Sequence, residues 1–161
     1  MKIYHGSLEV VEYPKILQPN RRLDYGNGFY TTTSEHQAKE WVKKRMLENN
    51  CTYGYVNEYE LDEGKISEFK SLIFTEPNEE WAEFVMSNRT KIDFTHTYDI
   101  VYGPVADDRV YLQFGLYESG AISIGTLIHE LKTYKLIDQY LFHTPEALTT
   151  LHFIKATKIE F

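Results

Sequence analysis

A chain of 161 residues, 42% hydrophobic and 25% charged, has the length and balance of one soluble globular domain with a real core. Its net charge of −7 has the wrong sign for tight, sequence-independent nucleic-acid binding. The lone Cys51 excludes an internal disulfide, no run approaches the ~18 apolar residues of a membrane span, and Met1-Lys2-Ile3-Tyr4-His5 carries no export signature, so a cytoplasmic protein is expected.

The elements follow in chain order. Lys2 to Ser7 reads as a short strand, and Pro14 to Tyr25 as irregular. Gly28 to Thr33 is aromatic and β-branched, a strand entered through a glycine turn. Ser34 with Gln37 three residues on forms a capping-box pattern that launches a helix over Glu35 to Asn49, with Ala38, Trp41, Val42, Arg45 and Met46 facing inward. Tyr53 to Leu61 alternates as a strand, and Lys65 to Phe69 reads as another. Pro77 sits one step inside a second helix, Glu76 to Asn88. Tyr98 to Tyr102 reads as a buried strand and Asp107 to Tyr117 as a helix ended by Gly120. Ser123 to Tyr134 is a further helix, Tyr140 to His143 a strand, Thr144-Pro145-Glu146 the cap of a short helix, and Leu151 to Phe161 a last strand. The order lacks βαβ regularity, which argues for an α+β fold with antiparallel sheets. Neither G-x-G-x-x-G nor a P-loop is present, nor are the H-x-x-x-H, C-x-x-C and G-x-S-x-G patterns of metal sites and serine nucleophiles.

Three short motifs carry the chemistry: Tyr4-His5-Gly6-Ser7, then Gly26-Asn27-Gly28-Phe29-Tyr30-Thr31-Thr32, and near the end Asp138-Gln139-Tyr140-Leu141-Phe142. A glycine beside a histidine lets backbone approach a flat ligand, because it has no Cβ. An aromatic after a glycine turn can stack on a ring, worth roughly 0.5–1.5 kcal/mol beyond area burial. Each residue also has a plain structural reading: His5 as a strand-end hydrogen bonder, Tyr30 as a core aromatic, Gln139 as a polar strand start.

In this order the motifs resemble the three strand motifs of the ADP-ribosyltransferase superfamily, in its His-Tyr-Glu branch. Gly103-Pro104-Val105-Ala106-Asp107-Asp108 and the block from Asp138 through Ala147-Leu148 further resemble a bacterial family of unknown function grouped with these transferases. The resemblance spans nearly the whole chain. It implies split antiparallel sheets flanked by helices around an NAD cleft. His5 would bond the adenosine-side ribose, the Gly6 backbone the nicotinamide carboxamide, and Ser7 would position the ligand. Gly28 would open the strand from which Tyr30 stacks on nicotinamide, with Trp41 as a further wall. The motif's Glu falls on Gln139, which keeps a hydrogen bond to the nicotinamide-side ribose but has no charge and cannot act as a base. That disfavours chain elongation and favours transfer of a single ADP-ribose.

Arg21, Arg22 and Arg89 are candidates for the NAD pyrophosphate, since a guanidinium fork matches phosphate oxygens. Asp107 and Asp108 read either as helix caps or as groups that meet the acceptor. The leading expectation is a mono-ADP-ribosyltransferase whose acceptor is a protein, a nucleic acid or a small molecule. A toxin with a cognate antitoxin protein is one setting the resemblance suggests. The rivals are a catalytically silent NAD- or ADP-ribose-binding module, a Tyr-rich partner protein, and an NAD-using RNA 2′-phosphotransferase, which the acidic balance disfavours.

Overall fold

The computed structural model describes residues 1–16, 24–91 and 94–161. Its order is β1 (Lys2–Ser7), β2 (Phe29–Thr31), α1 (Glu35–Glu48), β3 (Tyr53–Leu61), α2 (Glu63–Ile66), β4 (Ser71–Ile73), α3 (Glu79–Thr90), β5 (Ile100–Pro104), α4 (Asp108–Glu118), α5 (Ile124–Thr133), β6 (Asp138–Phe142) and β7 (Leu151–Glu160), with a 3-10 turn at Ala147–Thr150. The fold is α+β. One sheet runs β1-β3-β7, wholly antiparallel, and the other runs β2-β6-β5-β4. A bridge between Tyr4 and Thr32 joins them along β1 and β2.

Local chemistry explains most boundaries. The Ser34 hydroxyl accepts from Gln37 N at 3.1 Å and the Ser123 hydroxyl from Thr126 N at 3.1 Å, each meeting one unpaired donor of a helix start. Asn78 does the same for α3, so Pro77 lies before the cap and not inside the helix. Gly120, at φ +81°, stands just past the end of α4 in the left-handed region that glycine tolerates.

Alternation on the central strands creates the layers. In β5, Ile100 faces the space between the sheets and Val101 faces the helices; in β6, Phe142 and Leu141 divide likewise. Ile3, Phe29, Tyr59, Leu61, Ile100 and Phe142 fill the layer between the sheets. Trp81, Val85, Val110, Phe114, Leu127 and Leu131 bring α3, α4 and α5 onto the outer face of the second sheet. Ala38, Val42 and Met46 seat α1 on the outer face of the first. At roughly 25 cal/mol per Å² of apolar surface, each fully buried large side chain here contributes about 1.5–3 kcal/mol.

Several expectations are corrected. Lys65–Phe69 is not a strand: α2 ends at Ile66, and the strand begins at Ser71. Ile66 and Phe69 stand three apart, a helical spacing, and both pack into the inter-sheet layer. The second sheet is not wholly antiparallel, because β4 and β5 pair in parallel, which makes β4-α3-β5 a βαβ unit. The strand that carries the third motif runs Asp138–Phe142, beginning two residues before the expected Tyr140 and ending one before His143. Arg45 does not face inward; it pairs with Glu48 at 3.1 Å on the surface.

Candidate functional site

β1 and β2 bring the first two motifs into direct contact. His5 Nδ1 lies 2.7 Å from the Tyr30 carbonyl oxygen, so Nδ1–H donates and Nε2 is left as an acceptor. The imidazole packs on Phe29 with ring centroids 4.2 Å apart. Burial pushes its pKa below the usual histidine value, against the pull of the Tyr30 carbonyl, so the neutral ring is the working form.

Tyr30 pairs with Leu141 across β2 and β6, which puts its ring on the face shared by Leu141 and Gln139. That face looks toward the helices. The His5 imidazole, stacked on Phe29, occupies the other face of β2. Thus Tyr30 meets His5 through its backbone and shares a face with Gln139 through its side chain.

The glycine turn is unusually well held. Three successive carbonyls each accept from a side chain: Tyr25 O from His96 Nε2 at 2.8 Å, Gly26 O from the Tyr30 hydroxyl at 2.6 Å, and Asn27 O from His143 Nδ1 at 2.6 Å. Gly26 adopts φ +87°, which an L side chain resists. Gly28 has a different reason to be glycine: an added Cβ would stand 2.8 Å from the Phe142 carbonyl oxygen. The Tyr25 hydroxyl donates to Pro104 O at 2.6 Å and accepts from Trp81 Nε1 at 2.7 Å, tying the turn to β5 and α3. His143 stands edge-on to His96, centroids 4.4 Å apart.

Gln139 is only 6% exposed, and its Nε2 has no hydrogen-bond partner among the described residues. Burial pushes the pKa of both Asp24 and Tyr25 up, and the neighbouring Gln139 side chain pulls the other way on each. Asp24, 8% exposed, was missed by the sequence reading. It accepts from the Tyr111 hydroxyl and from Ala106 N, and pairs with Arg89 at 3.5 Å, while the Arg89 guanidinium lies 4.4 Å over the Tyr111 ring. Burial pushes the Asp24 carboxyl above its ordinary value, against these partners. No local signal marks Asp24, since its hydroxyl partner lies 87 residues away.

The other candidates divide. Gly6 does need close approach, and α1 supplies it: a Cβ there would stand 2.6 Å from Ala38 O and 3.2 Å from Trp41 Cδ1, so Trp41 does neighbour Gly6. The Ser7 hydroxyl accepts from Glu9 N at 3.3 Å. Asp107 is the N-cap of α4, accepting from Arg109 N and Val110 N, and Asp108 is exposed in the first turn. Arg89 is bound to Asp24, while Arg21 and Arg22 lie outside the described residues.

None of His5, Tyr30 and Gln139 lines either of two cavities. One, of about 370 Å³, opens at the Pro104 end of β5, and the other, of about 650 Å³, lies between the segment Glu12–Ile16 and β7. The motif residues are joined instead on the paired strands β1, β2 and β6. Among the described residues, no three His, Cys, Asp or Glu side chains cluster as metal ligands would, and no helix is long and apolar enough to cross a membrane.

Comparison with curated proteins finds no match, and comparison with solved structures finds none. A family model does match, over residues 1–153, under the description "Protein of unknown function (DUF3990)". The chain therefore belongs to the DUF3990 family.

Proposed function

We propose that this protein is a mono-ADP-ribosyltransferase that cleaves NAD, releases nicotinamide and transfers one ADP-ribose to an acceptor. The observation that carries the reading is the position of Tyr30: its carbonyl holds His5 while its ring shares a sheet face with Gln139. Residues 5, 30 and 139 are thereby linked through one short strand.

In this mechanism the bond between nicotinamide nitrogen and ribose C1′ breaks, nicotinamide leaves with the electron pair, and the sugar passes through an oxocarbenium-like state. His5, with Nδ1–H committed to Tyr30, offers Nε2 as an acceptor to a ribose hydroxyl. Tyr30 supplies aromatic surface for the nicotinamide, and the Gly6 backbone supplies amide contacts. Gln139 bonds the nearer ribose. Asp24 provides the negative charge that a carboxamide lacks, since electrostatic support of a developing cation does not require direct proton transfer. The acceptor must then bring its own nucleophile. Within a bacterial cell such an enzyme suits a toxin held by an antitoxin partner.

Nicotinamide release from labelled NAD tests the reading. Wild type is expected to release it, and His5→Ala and Tyr30→Ala to lose at least tenfold in kcat/KM, about 1.4 kcal/mol. Equal release by all three proteins refutes it. The uncharged Gln139 also supports a second reading, a silent NAD- or ADP-ribose-binding module. Saturable NAD binding by calorimetry, with no nicotinamide released, selects that one.

A further inference from the structure

The 370 Å³ cavity at the Pro104 end of β5 holds one charged side chain, Asp138; the rest of its lining is Thr33, Ser34, Phe74, Thr75, Tyr102, Gly103, Pro104, Leu136 and Ile137. Asp138 accepts from Thr33 N at 3.1 Å, from the Thr33 hydroxyl at 2.7 and 2.8 Å, and from the Tyr102 hydroxyl at 3.0 Å. Those are three donors, while a carboxylate offers about four acceptor sites. No Lys, Arg or His pairs with Asp138 among the described residues. Among the described residues the carboxylate therefore has no cationic partner, and it faces a cavity of ligand size. Burial and Asp138 together push the Tyr102 phenol up to about 12, so Tyr102 stays a neutral donor to Asp138. Tyr102 packs on Tyr140 with ring centroids 4.4 Å apart and planes tilted by 42°, placing aromatic surface beside the Asp138 carboxyl. Gly103, the cross-strand partner of Gln139, forms part of the wall, so the cavity abuts the strand position that carries the third motif.

We propose that this cavity binds a guanidinium group, with Asp138 as its anionic anchor, and that it seats the acceptor of ADP-ribose. The first half stands on the cavity alone; the second rests on the transferase reading above. A guanidinium is planar and weakly hydrated, stacks on aromatic faces, and fits an apolar cleft better than an ammonium does. In the transfer, a guanidinium nitrogen bonds to ribose C1′ as the bond from C1′ to nicotinamide breaks. Nicotinamide leaves as the neutral base, and one proton passes to water.

The probe is n-butylguanidine, with neutral n-butylurea as its isostere, titrated into the full chain while backbone amide resonances are followed. Shifts at Thr33, Thr75, Tyr102 and Asp138 are expected, with n-butylurea at least tenfold weaker. Asp138→Asn should weaken n-butylguanidine at least tenfold. Thr75→Arg, on an exposed position of the lining, should do the same by supplying a tethered guanidinium, and it decides the matter if the Asp138 variant does not fold. Absent shifts, equal affinity for the urea, or unchanged binding by a folded variant overturns the proposal. With NAD added, an n-butylguanidine–ADP-ribose adduct supports the acceptor role. Binding without nicotinamide release rejects the transferase reading alone, and nicotinamide release without binding rejects the cavity alone.

Discussion

Replacing Gln139 by Glu tests the electrostatics of the buried corner. The carboxamide lies beside Asp24, and both side chains are nearly inaccessible, at 6% and 8%. A second carboxylate there faces a like charge. At a separation of about 5 Å and an effective dielectric constant of ~20, the repulsion is roughly 3 kcal/mol, about two pKa units. The new group's folded pKa then exceeds its unfolded value of about 4.3. The folded state binds the extra proton, so the variant's stability relative to wild type falls as pH rises through that window. The expected deficit is roughly 3 kcal/mol at pH 8, shrinking toward zero near pH 4. Urea unfolding of both proteins across that range measures it, and a carboxyl-carbon NMR titration gives the pKa directly. A constant deficit at all pH values, or an ordinary glutamate titration, refutes the argument that Asp24 and residue 139 share one desolvated site. In the same variant, any gain in NAD hydrolysis should appear on the alkaline side, where residue 139 is ionised.

Two further predictions concern the scaffold. His143 is held neutral by burial, its pKa lowered to about 4, while its unfolded value is near 6.5, so the unfolded chain binds more protons between these limits. Stability should fall as pH drops from 6.5 to about 4, with roughly 3 kcal/mol from this residue; a His143 resonance that titrates at an ordinary value contradicts the assignment. Gly103→Ala would place a Cβ 2.4 Å from the Tyr25 hydroxyl and 3.1 Å from Phe74 Cβ, breaking the tie that seats the glycine turn. A loss of about 1–3 kcal/mol in chemical unfolding is expected, and an unchanged midpoint would show that Tyr25 moves aside freely.

Much of the fold was legible because it is local. Ser34, Ser123 and Asp107 announce helix starts through hydrogen bonds that span two or three residues, and the structure uses all three as caps. The alternation in Tyr53–Leu61 marked β3 with its observed limits. The short strand β4 was not legible: three residues carry little periodicity, and its parallel partner β5 lies beyond a whole helix. The candidate residues divide the same way. His5, Tyr30, Gln139 and Asp138 stood out because each sits in a motif. Asp24 carries no such mark, although it gathers Tyr111, Ala106 and Arg89 at the corner that Gln139 enters.

From the residues alone come the α+β class, most element boundaries, and the three motif residues, because caps, alternation and glycine turns act over a few neighbours. Folding decided which faces those residues occupy: His5 against Phe29, with Tyr30 and Gln139 on the reverse of the same strand pair. It also set Asp138 in a cavity and Asp24 beside Gln139. Pairing register and long-range burial create those neighbourhoods, and neither is encoded within any single stretch of chain.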